Sequence, residues 1–327
     1  MKLVTLTEIR QARSALPSIV RRTPIVPFAR TVPEIGHEKL HLKLENLQVT
    51  GAFKVRAAFA MLQSMPPDAR ARGVVVMSSG NFAQAFALAG RELGVSIAVV
   101  MLASTSSYKV EATRALGAYV DLYDGPALQR QRRVETLAAE RGMTAIDVWE
   151  ERPITIGHGS IGIEVVEDCP GVEQVLVPVS SSGLAAGVAT AVKGLNPKIR
   201  TIGVQPVRAN AAYVSRQHGA PTAIDYWETI ADGLSARRPG EFPFAHLQAH
   251  LDDIVLVDEK DIGMAHVVLK RRAKVIAEPA GAVSAAAFLA GKVDVTKKTV
   301  AIISGGNLTP ETEATLEKLA AARGQSS

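Results

Sequence analysis

Residues 174–193 read QVLVPVSSSGLAAGVATAVK, a valine-rich run that passes through small residues into a segment with helical spacing. A strand that enters a helix through such a loop is typical of parallel sheets, where a crossover helix follows each strand. The same alternation of β-branched runs and amphipathic segments recurs from about residue 40 to the end of the chain. The sequence therefore predicts an α/β protein with parallel-type sheets flanked by helices.

These two patterns assign much of the chain to elements. Strands are predicted at residues 40–44, 74–78, 96–102, 118–122, 174–178, 200–205, 254–257 and 299–304. Helices are predicted at residues 54–65, 81–93, 127–141, 183–193, 260–273 and 311–321. Residues 219–251 carry three prolines and no clear period, so a surface excursion that returns to the sheet is expected there.

The strand and helix units of residues 73–149 make a compact block, and the strands on either side would have to join across it. We therefore predict a small domain, residues 73–149, inserted into a large domain made of residues 1–72 and 150–327.

Composition narrows the classes of function. With 327 residues and 47% hydrophobic residues, the chain can bury a large core in about two domains. The net charge of +5 is scattered, so a solvated mixed-charge surface is predicted and no nucleic-acid partner. The single cysteine, Cys169, excludes an intrachain disulfide and fits a reducing compartment. The first residues lack a signal-peptide core, and no apolar run approaches the ~20 residues of a membrane helix, so a cytoplasmic location is expected.

Ligands of an open parallel sheet gather where strands end and helices begin. In the stretch from Lys43 to Arg56, a predicted strand and a Thr50-Gly51 turn lead to Lys54 in the first turn of a helix. The helix dipole disfavours a charge on a lysine there, and a neutral amine is what a Schiff base to an aldehyde cofactor requires. A solvated lysine at a helix end is the ordinary alternative.

Three further strand ends carry unusual residues. Residues 78–84 (SSGNFAQ) offer N–H groups and hydroxyls to a carboxylate, residues 177–187 (VPVSSSGLAAG) make an anion nest, and residues 302–307 (IISGGN) bring Ser304 to a strand end. Taken alone, each also fits an ordinary helix cap or tight turn. The anion nest lacks the lysine and the spacing of a Walker loop, which argues against a nucleoside triphosphate.

Together and in this order, the four segments resemble the serine/threonine dehydratase family, pyridoxal-phosphate (PLP) enzymes with the tryptophan-synthase-β type of fold, fold type II. The resemblance runs from about residue 5 to residue 310 and includes Arg22-Thr-Pro, Ala231-Asp-Gly-Leu and Glu278-Pro-Ala-Gly-Ala. It implies a homodimeric lyase that converts a β-hydroxy amino acid to a 2-oxo acid and ammonia. Threonine, serine and substituted analogues such as phenylserine or hydroxyaspartate are the candidate substrates.

The resemblance also implies residue roles. Lys54 would carry the cofactor beside Phe53, Asn81 would contact its ring hydroxyl, and Ser304 its ring nitrogen. The phosphate would lie against Ser180, Ser181, Ser182, Gly183 and Leu184. Ser79 would be a second catalytic group, facing the substrate from the side opposite Lys54. The residues implied to line the substrate site are Ser78, Ser79, Gly80, Phe82, Gln84 and His158.

A hydroxyl at position 304 stabilises a protonated ring nitrogen less than a carboxylate would, which favours elimination over transamination. An amino-acid racemase is the main alternative, since Ser79 could return a proton to the face opposite Lys54. A catalytically inactive binding protein is disfavoured, because Lys54, Asn81 and Ser304 are all present.

The sequence departs from the family at several positions. Phe82 and His158 stand where the family usually has His and Gln, and Trp149 where small or polar residues are more frequent, so either a reshaped substrate pocket or, for Trp149, a packing role is predicted. Serines replace the usual glycines of the phosphate loop, which predicts a slightly different loop path. Gln205 stands where several relatives have a metal-binding Glu, so no cation site is expected.

Residues 157–162 (GHGSIG) formally match a dinucleotide fingerprint, which would indicate an NAD-dependent dehydrogenase. No strong strand precedes this phrase, and no acidic strand end follows about 20 residues later, which disfavours that interpretation.

Overall fold

The computed structural model describes residues 1–28, 37–78, 80–126 and 129–324. Its strands are β1 (Ile25–Pro27), β2 (Leu40–Leu44), β3 (Val74–Met77), β4 (Ile97–Leu102), β5 (Tyr119–Tyr123), β6 (Thr144–Ile146), β7 (Gln174–Pro178), β8 (Arg200–Pro206), β9 (Asp253–Val257) and β10 (Thr299–Ile303). Its helices are α1 (Leu6–Ser14), α2 (Val55–Ser64), α3 (Pro67–Arg72), α4 (Asn81–Leu93), α5 (Ser107–Ala115), α6 (Arg130–Arg141), α7 (Arg152–Asp168), α8 (Gly183–Leu195), α9 (Ala211–His218), α10 (Glu241–His250), α11 (Glu259–Val268), α12 (Pro279–Leu289) and α13 (Pro310–Gly324). The α/β class is thereby confirmed.

The larger sheet has the strand order β1-β2-β10-β7-β8-β9. Only β1 runs antiparallel to its neighbour, and the other described pairs of this sheet are parallel. Because Ile303 pairs with Leu44, the segments that follow β2 and β10 leave the sheet side by side. The carboxyl end of β7 lies on the other flank of β10. Three of the four segments singled out in the sequence therefore emerge at one edge of this sheet.

The smaller sheet has the order β5-β4-β3-β6, with all described pairs parallel. Side chains of α2, including Val55 and Phe59, lie in one hydrophobic cluster with Val74, Phe86 and Val99. Helix α2 thus covers the smaller sheet although it precedes residue 73. The domain boundaries at residues 73 and 149 stay a prediction.

Helix α7 crosses the molecule in close contact with its neighbours. A Cβ at Gly157 would lie 2.7 Å from the Cα of Ala57, and one at Gly162 would lie 2.7 Å from the carbonyl oxygen of Val188. These glycines let α7 approach α2 and α8. The dinucleotide interpretation is therefore wrong, because residues 157–162 lie inside a helix and not in a strand-to-helix turn.

Two other expectations are corrected. The region 219–251 is not an irregular excursion throughout, since it ends in helix α10. The helix predicted at residues 260–273 is α-helical only to Val268 and continues as a wider turn over Leu269–Ala273. The start predicted for α6, at residue 127, lies outside the described residues. Across the described residues, no helix combines the length and the apolar character that a bilayer crossing demands.

Candidate active site

Lys54 is the residue just before α2, at its N-cap. Its side chain is half-buried between fully buried neighbours, and its amine lies 4.1 Å from the ring centroid of Phe53 and 5.3 Å from that of Phe82. Burial lowers the pKa of the Lys54 amine to about 8, against the raising effect of the negative charge on Glu278. The principal cause of this pKa shift is thus desolvation, where the sequence had pointed to the helix dipole. The amine can be reached by a ligand and loses its proton easily.

The loop that carries Lys54 is fastened to the segment that follows β10. Phe53 N donates to the carbonyl of Ser304 at 3.0 Å, and Gly306 N donates to that of Gly51 at 2.9 Å. Ser304 is buried, and its hydroxyl lies 3.4 Å from the carbonyl oxygen of Ala280. The first and fourth segments of the sequence therefore form one side of a common cleft.

The serine loop occupies the N-terminus of α8. Ser182 is the N-cap residue with φ at 88°, a left-handed conformation that usually belongs to glycine. Its hydroxyl oxygen is buried without a hydrogen-bond partner in the described part of the chain. Nothing crowds Gly183, since a Cβ there would meet only ordinary contacts, His158 Cδ2 at 3.6 Å and Ile154 Cγ2 at 3.9 Å. An orphaned hydroxyl at a helix N-terminus with room above it fits a phosphate group.

His158 links this loop to the lysine. Its ring centroid lies 4.8 Å from that of Phe53 and 6.1 Å from that of Phe82. His158 is buried, and burial, followed by the charges of Lys54 and Arg56, holds its pKa well below the usual value. The imidazole is therefore neutral. Lys54 lies near Phe53, Phe53 near His158, and His158 near Gly183, so these side chains link the lysine to the phosphate loop.

Asn81 is the first residue of α4, at the end of the segment that follows β3. Its amide nitrogen donates to Glu278 Oε1 at 2.7 Å, and its amide oxygen accepts from Asn307 Nδ2 at 2.7 Å. Burial, and after it the charge of Asp232, raises the pKa of Glu278 to about 7. The sequence analysis gave no role to Glu278 or Asn307, although both lie in phrases that it quoted.

The remaining residues predicted to line the substrate site are distributed as follows. The Ser78 hydroxyl accepts from the backbone N–H groups of Gly80 and Ala83, so it stabilises the start of α4. Phe82 is buried against Phe86 with 5.3 Å between ring centroids. Gln84 borders a cavity of about 450 Å³ on the side of Asn307. Ser79 lies outside the described residues.

Trp149 is half-buried and packs against the hydrophobic cluster of the smaller sheet. The next residue, Glu150, accepts from the N–H groups of Glu241 and Phe242 at the start of α10. Gly240 N in turn donates to the carbonyl of Ser181 at 3.0 Å. The Trp149 segment and the phosphate loop are thus connected through residues 240–242.

A buried ion network, which the sequence analysis missed, lies under the first turn of α2. The Arg56 guanidinium contacts Glu45 at 2.9 Å and Glu164 at 2.7 Å, and Lys43 contacts Glu164 at 2.5 Å. All four side chains are at most 4% exposed, and their charges balance. Thr23 also donates to Glu45. The network holds the backbone two residues after Lys54.

Gln205, at the position where a metal-binding Glu was considered, uses its amide inside the protein. Its nitrogen lies 3.4 Å and 3.3 Å from the carbonyls of Val179 and Ala209, and its oxygen accepts from Tyr213 N at 2.8 Å. Among the described residues, no group of three or more His, Cys, Asp or Glu side chains has an arrangement that could hold a metal ion.

Several known proteins resemble this chain in sequence and in fold. The model of the family "Pyridoxal-phosphate dependent enzyme" matches residues 16–305. The L-threonine ammonia-lyase of Thermotoga maritima is 36% identical over 307 residues, which cover 94% of this chain and 76% of that protein. The processed form of threonine deaminase isoform 2 from Solanum lycopersicum superposes with a TM-score of 0.89 at 28% identity, covering 98% of this chain and 97% of that one. Maize serine racemase superposes with a TM-score of 0.90 at 28% identity, covering 99% of this chain and 100% of that one.

The chain therefore belongs to the pyridoxal-phosphate-dependent enzymes, with a fold of type II. Within them it is a PLP-dependent lyase, and its resemblance to the serine/threonine dehydratase family is confirmed.

Proposed function

We propose that this enzyme removes water and ammonia from a β-hydroxy amino acid and releases a 2-oxo acid. The observation that carries the proposal is the position of the Lys54 amine, which is half-buried, has a pKa lowered to about 8, and is linked through Phe53 and His158 to the uncrowded serine loop at Gly183. This arrangement provides an amine for covalent attachment at one end and a phosphate site at the other.

The residues divide the work as follows. When bound, the cofactor supplies an electron sink for the charge that develops at Cα. Lys54 would hold the cofactor in the resting enzyme, and its neutral amine, once free, would accept the Cα proton. The proton held at Nζ is available to the departing hydroxyl, which leaves as water. Residues 180–184 would hold the phosphate and Ser304 would contact the ring nitrogen, and water would complete the release of ammonia.

The aromatic side chains around Lys54 favour a substrate whose β-substituent is uncharged. Phe53 and Phe82 flank the amine, and His158 is neutral, so a second carboxylate in the substrate would be desolvated without a counter-charge. We therefore expect threonine, serine or phenylserine to be turned over faster than hydroxyaspartate. Release of 2-oxo acid from a panel of these four amino acids measures the preference. A neutral pocket is refuted if hydroxyaspartate is the best substrate.

The direct test is Lys54→Ala. We expect this variant to lose the visible absorption band of the bound cofactor and all 2-oxo acid release, because both need the same amine. Lys318→Ala, an exposed lysine of α13, is the matched control and should keep both. If Lys54→Ala retained the band and the turnover, Lys54 would not be the cofactor lysine.

Racemisation is the second candidate activity. It is favoured by the likeness to maize serine racemase and by the serine at position 79 of the sequence, which we propose as the group opposite Lys54. A chiral assay of the remaining substrate, run beside the 2-oxo acid assay, separates the two reactions. If Ser79 returns the proton, Ser79→Ala lowers the yield of the opposite enantiomer more than the yield of 2-oxo acid.

The homodimer and the cytoplasmic location also stand as proposals, supported by the family resemblance and by the composition. Light scattering behind a size-exclusion column measures the mass of the assembly, which for a dimer is twice the 34.7 kDa of the chain.

A further inference from the structure

We propose that Asn307 and Glu278 are positioning residues that fix which end of the Asn81 amide faces the cofactor, through one directional chain of hydrogen bonds. This inference rests on the proposed function, in which Asn81 contacts the ring hydroxyl of pyridoxal phosphate. It assigns roles to two residues that the sequence had left without one.

A backbone carbonyl at one end sets the direction of these hydrogen bonds. Asn307 Nδ2 lies 2.9 Å from the carbonyl oxygen of Thr50, which can only accept. The atom of Asn307 that faces Thr50 must therefore be the nitrogen. The same nitrogen lies 2.7 Å from the Asn81 amide, so the atom that Asn81 presents to it must be the oxygen.

The far end of the chain confirms this direction. With its oxygen toward Asn307, Asn81 turns its nitrogen to Glu278 Oε1 at 2.7 Å, and a carboxylate oxygen accepts that hydrogen. The orientation that Asn307 sets is thus also the one that the ionised form of Glu278 accepts. A flipped amide would place oxygen against oxygen at Glu278 and nitrogen against nitrogen at Asn307.

The side chain of Glu278 is committed to this contact. Glu278 is the N-cap residue of α12, yet its carboxylate makes no capping hydrogen bond there. A Cβ at Gly305 would lie 2.2 Å from Glu278 Oε1, so only glycine at 305 leaves room for the carboxylate. Asn307 is held as closely, since a Cβ at Gly51 would lie 2.3 Å from its Oδ1.

The consequence for the cofactor is a single remaining donor. An amide nitrogen has two hydrogens, and Glu278 takes one of them. The other is left to donate to an oxygen in the cleft, which is what the ring oxygen of the cofactor requires. Asn307 and Glu278 act on the cofactor only through Asn81.

Asn307→Asp tests the chain at its start, because an aspartate has nearly the same shape but cannot donate to both Thr50 and Asn81. Asn46→Asp is the matched control, since Asn46 also donates to a backbone carbonyl, that of Ile276 at 2.9 Å, but has no contact with Asn81. Cofactor is titrated into the cofactor-free proteins, and its affinity and absorption spectrum are recorded. We expect Asn307→Asp to weaken the affinity about tenfold and to shift the absorption band, whereas Asn46→Asp changes both less than twofold.

Glu278 provides the second pair of variants, which covers the case that Asn307→Asp does not fold. Glu278→Gln keeps an accepting oxygen and should bind the cofactor within about twofold of the wild type, while Glu278→Ala should lose about tenfold. The double variant Asn307→Asp/Glu278→Ala should be no weaker than the weaker single variant, because both changes act on one amide.

The outcomes separate the two proposals. If the wild-type chain binds no cofactor, the proposed function fails. If the wild type binds it but Asn307→Asp and Glu278→Ala keep their affinity and spectrum, or if Glu278→Gln loses as much as Glu278→Ala, the chain of hydrogen bonds does not orient Asn81.

Discussion

The amine of Lys54 and the carboxyl of Glu278 titrate within about one pH unit of each other, at about 8 and about 7, because burial disfavours the charged form of both. Each charge also stabilises the other. Lys54 is therefore protonated below about pH 8 and neutral above it, and only the neutral form attacks an aldehyde.

We expect the rate at which the cofactor-free chain takes up pyridoxal phosphate to rise with pH and to level off above about pH 8. Stopped-flow absorbance over pH 6 to 10 measures the midpoint. Glu278→Gln removes the negative charge that raises the pKa of Lys54, so its midpoint should move to lower pH. A midpoint near 10.5, the ordinary pKa of a lysine amine, would show that the amine is not desolvated.

Ser182 bears a local strain that glycine would relieve. An L-residue in the left-handed region costs about 1 kcal/mol, and its buried hydroxyl recovers nothing from the described residues. We expect Ser182→Gly to raise the thermal stability of the cofactor-free protein and to weaken cofactor binding, because the hydroxyl is the proposed phosphate donor. Calorimetry and cofactor titration measure the two effects.

Ser181→Gly is the control for this change, since Ser181 is not among the residues with positive φ. It should lower stability, because glycine adds freedom to the unfolded chain without relieving strain. If Ser182→Gly also lowered the thermal stability, relief of backbone strain would not be the main effect at position 182, and loss of the Ser182 hydroxyl would be.

At the scale of elements, the first turn of α2 is held by buried ion pairs as well as by apolar contacts. Arg56→Met would leave Glu45 and Glu164 buried with their principal partner removed, which costs about 3 to 5 kcal/mol. Arg72→Met, which breaks an exposed pair with Asp68 on α3, should cost less than about 1 kcal/mol. Urea unfolding of both variants measures the difference. Similar costs would mean that the network does not hold α2.

Strands were predicted well where short apolar runs end at a turn, and helices were predicted well where an amphipathic period is present. The strands that end in Leu44 and Pro178 were predicted to the residue, and so was α4. Helices α7 and α12 were missed because they are buried nearly all round, so their sequences show no amphipathic period.

The same reasoning explains the site. Lys54, Asn81, the serine loop and Ser304 could be singled out because each lies in a short local phrase. The contact of Arg56 with Glu164 spans 108 residues, and that of Asn81 with Glu278 spans 197. Nothing in the local sequence signals such pairs, so only the fold reveals them.

At the scale of the whole molecule, helix α2 connects the two sheets. Its apolar face lies in the cluster of the smaller sheet, while Arg56 is bound to Glu45, which follows β2 of the larger one. We therefore expect a single cooperative unfolding transition. Trp149→Phe leaves Trp227, which stacks with Arg237, as the only tryptophan, and Trp227→Phe leaves Trp149 beside the smaller sheet; both variants should give the same midpoint. Two midpoints would show that the predicted domains unfold independently.

The connection from Glu150 through residues 240–242 to Ser181 bears on how this enzyme could change during evolution or engineering. A Cβ at Gly240 would lie 2.7 Å from the carbonyl oxygen of Trp149, so the backbones at positions 149 and 240 are closely packed. We therefore expect many variants with substitutions at position 149 to bind pyridoxal phosphate more weakly and to lose it during purification. A screen with saturating pyridoxal phosphate would detect active variants that a screen without added cofactor would miss.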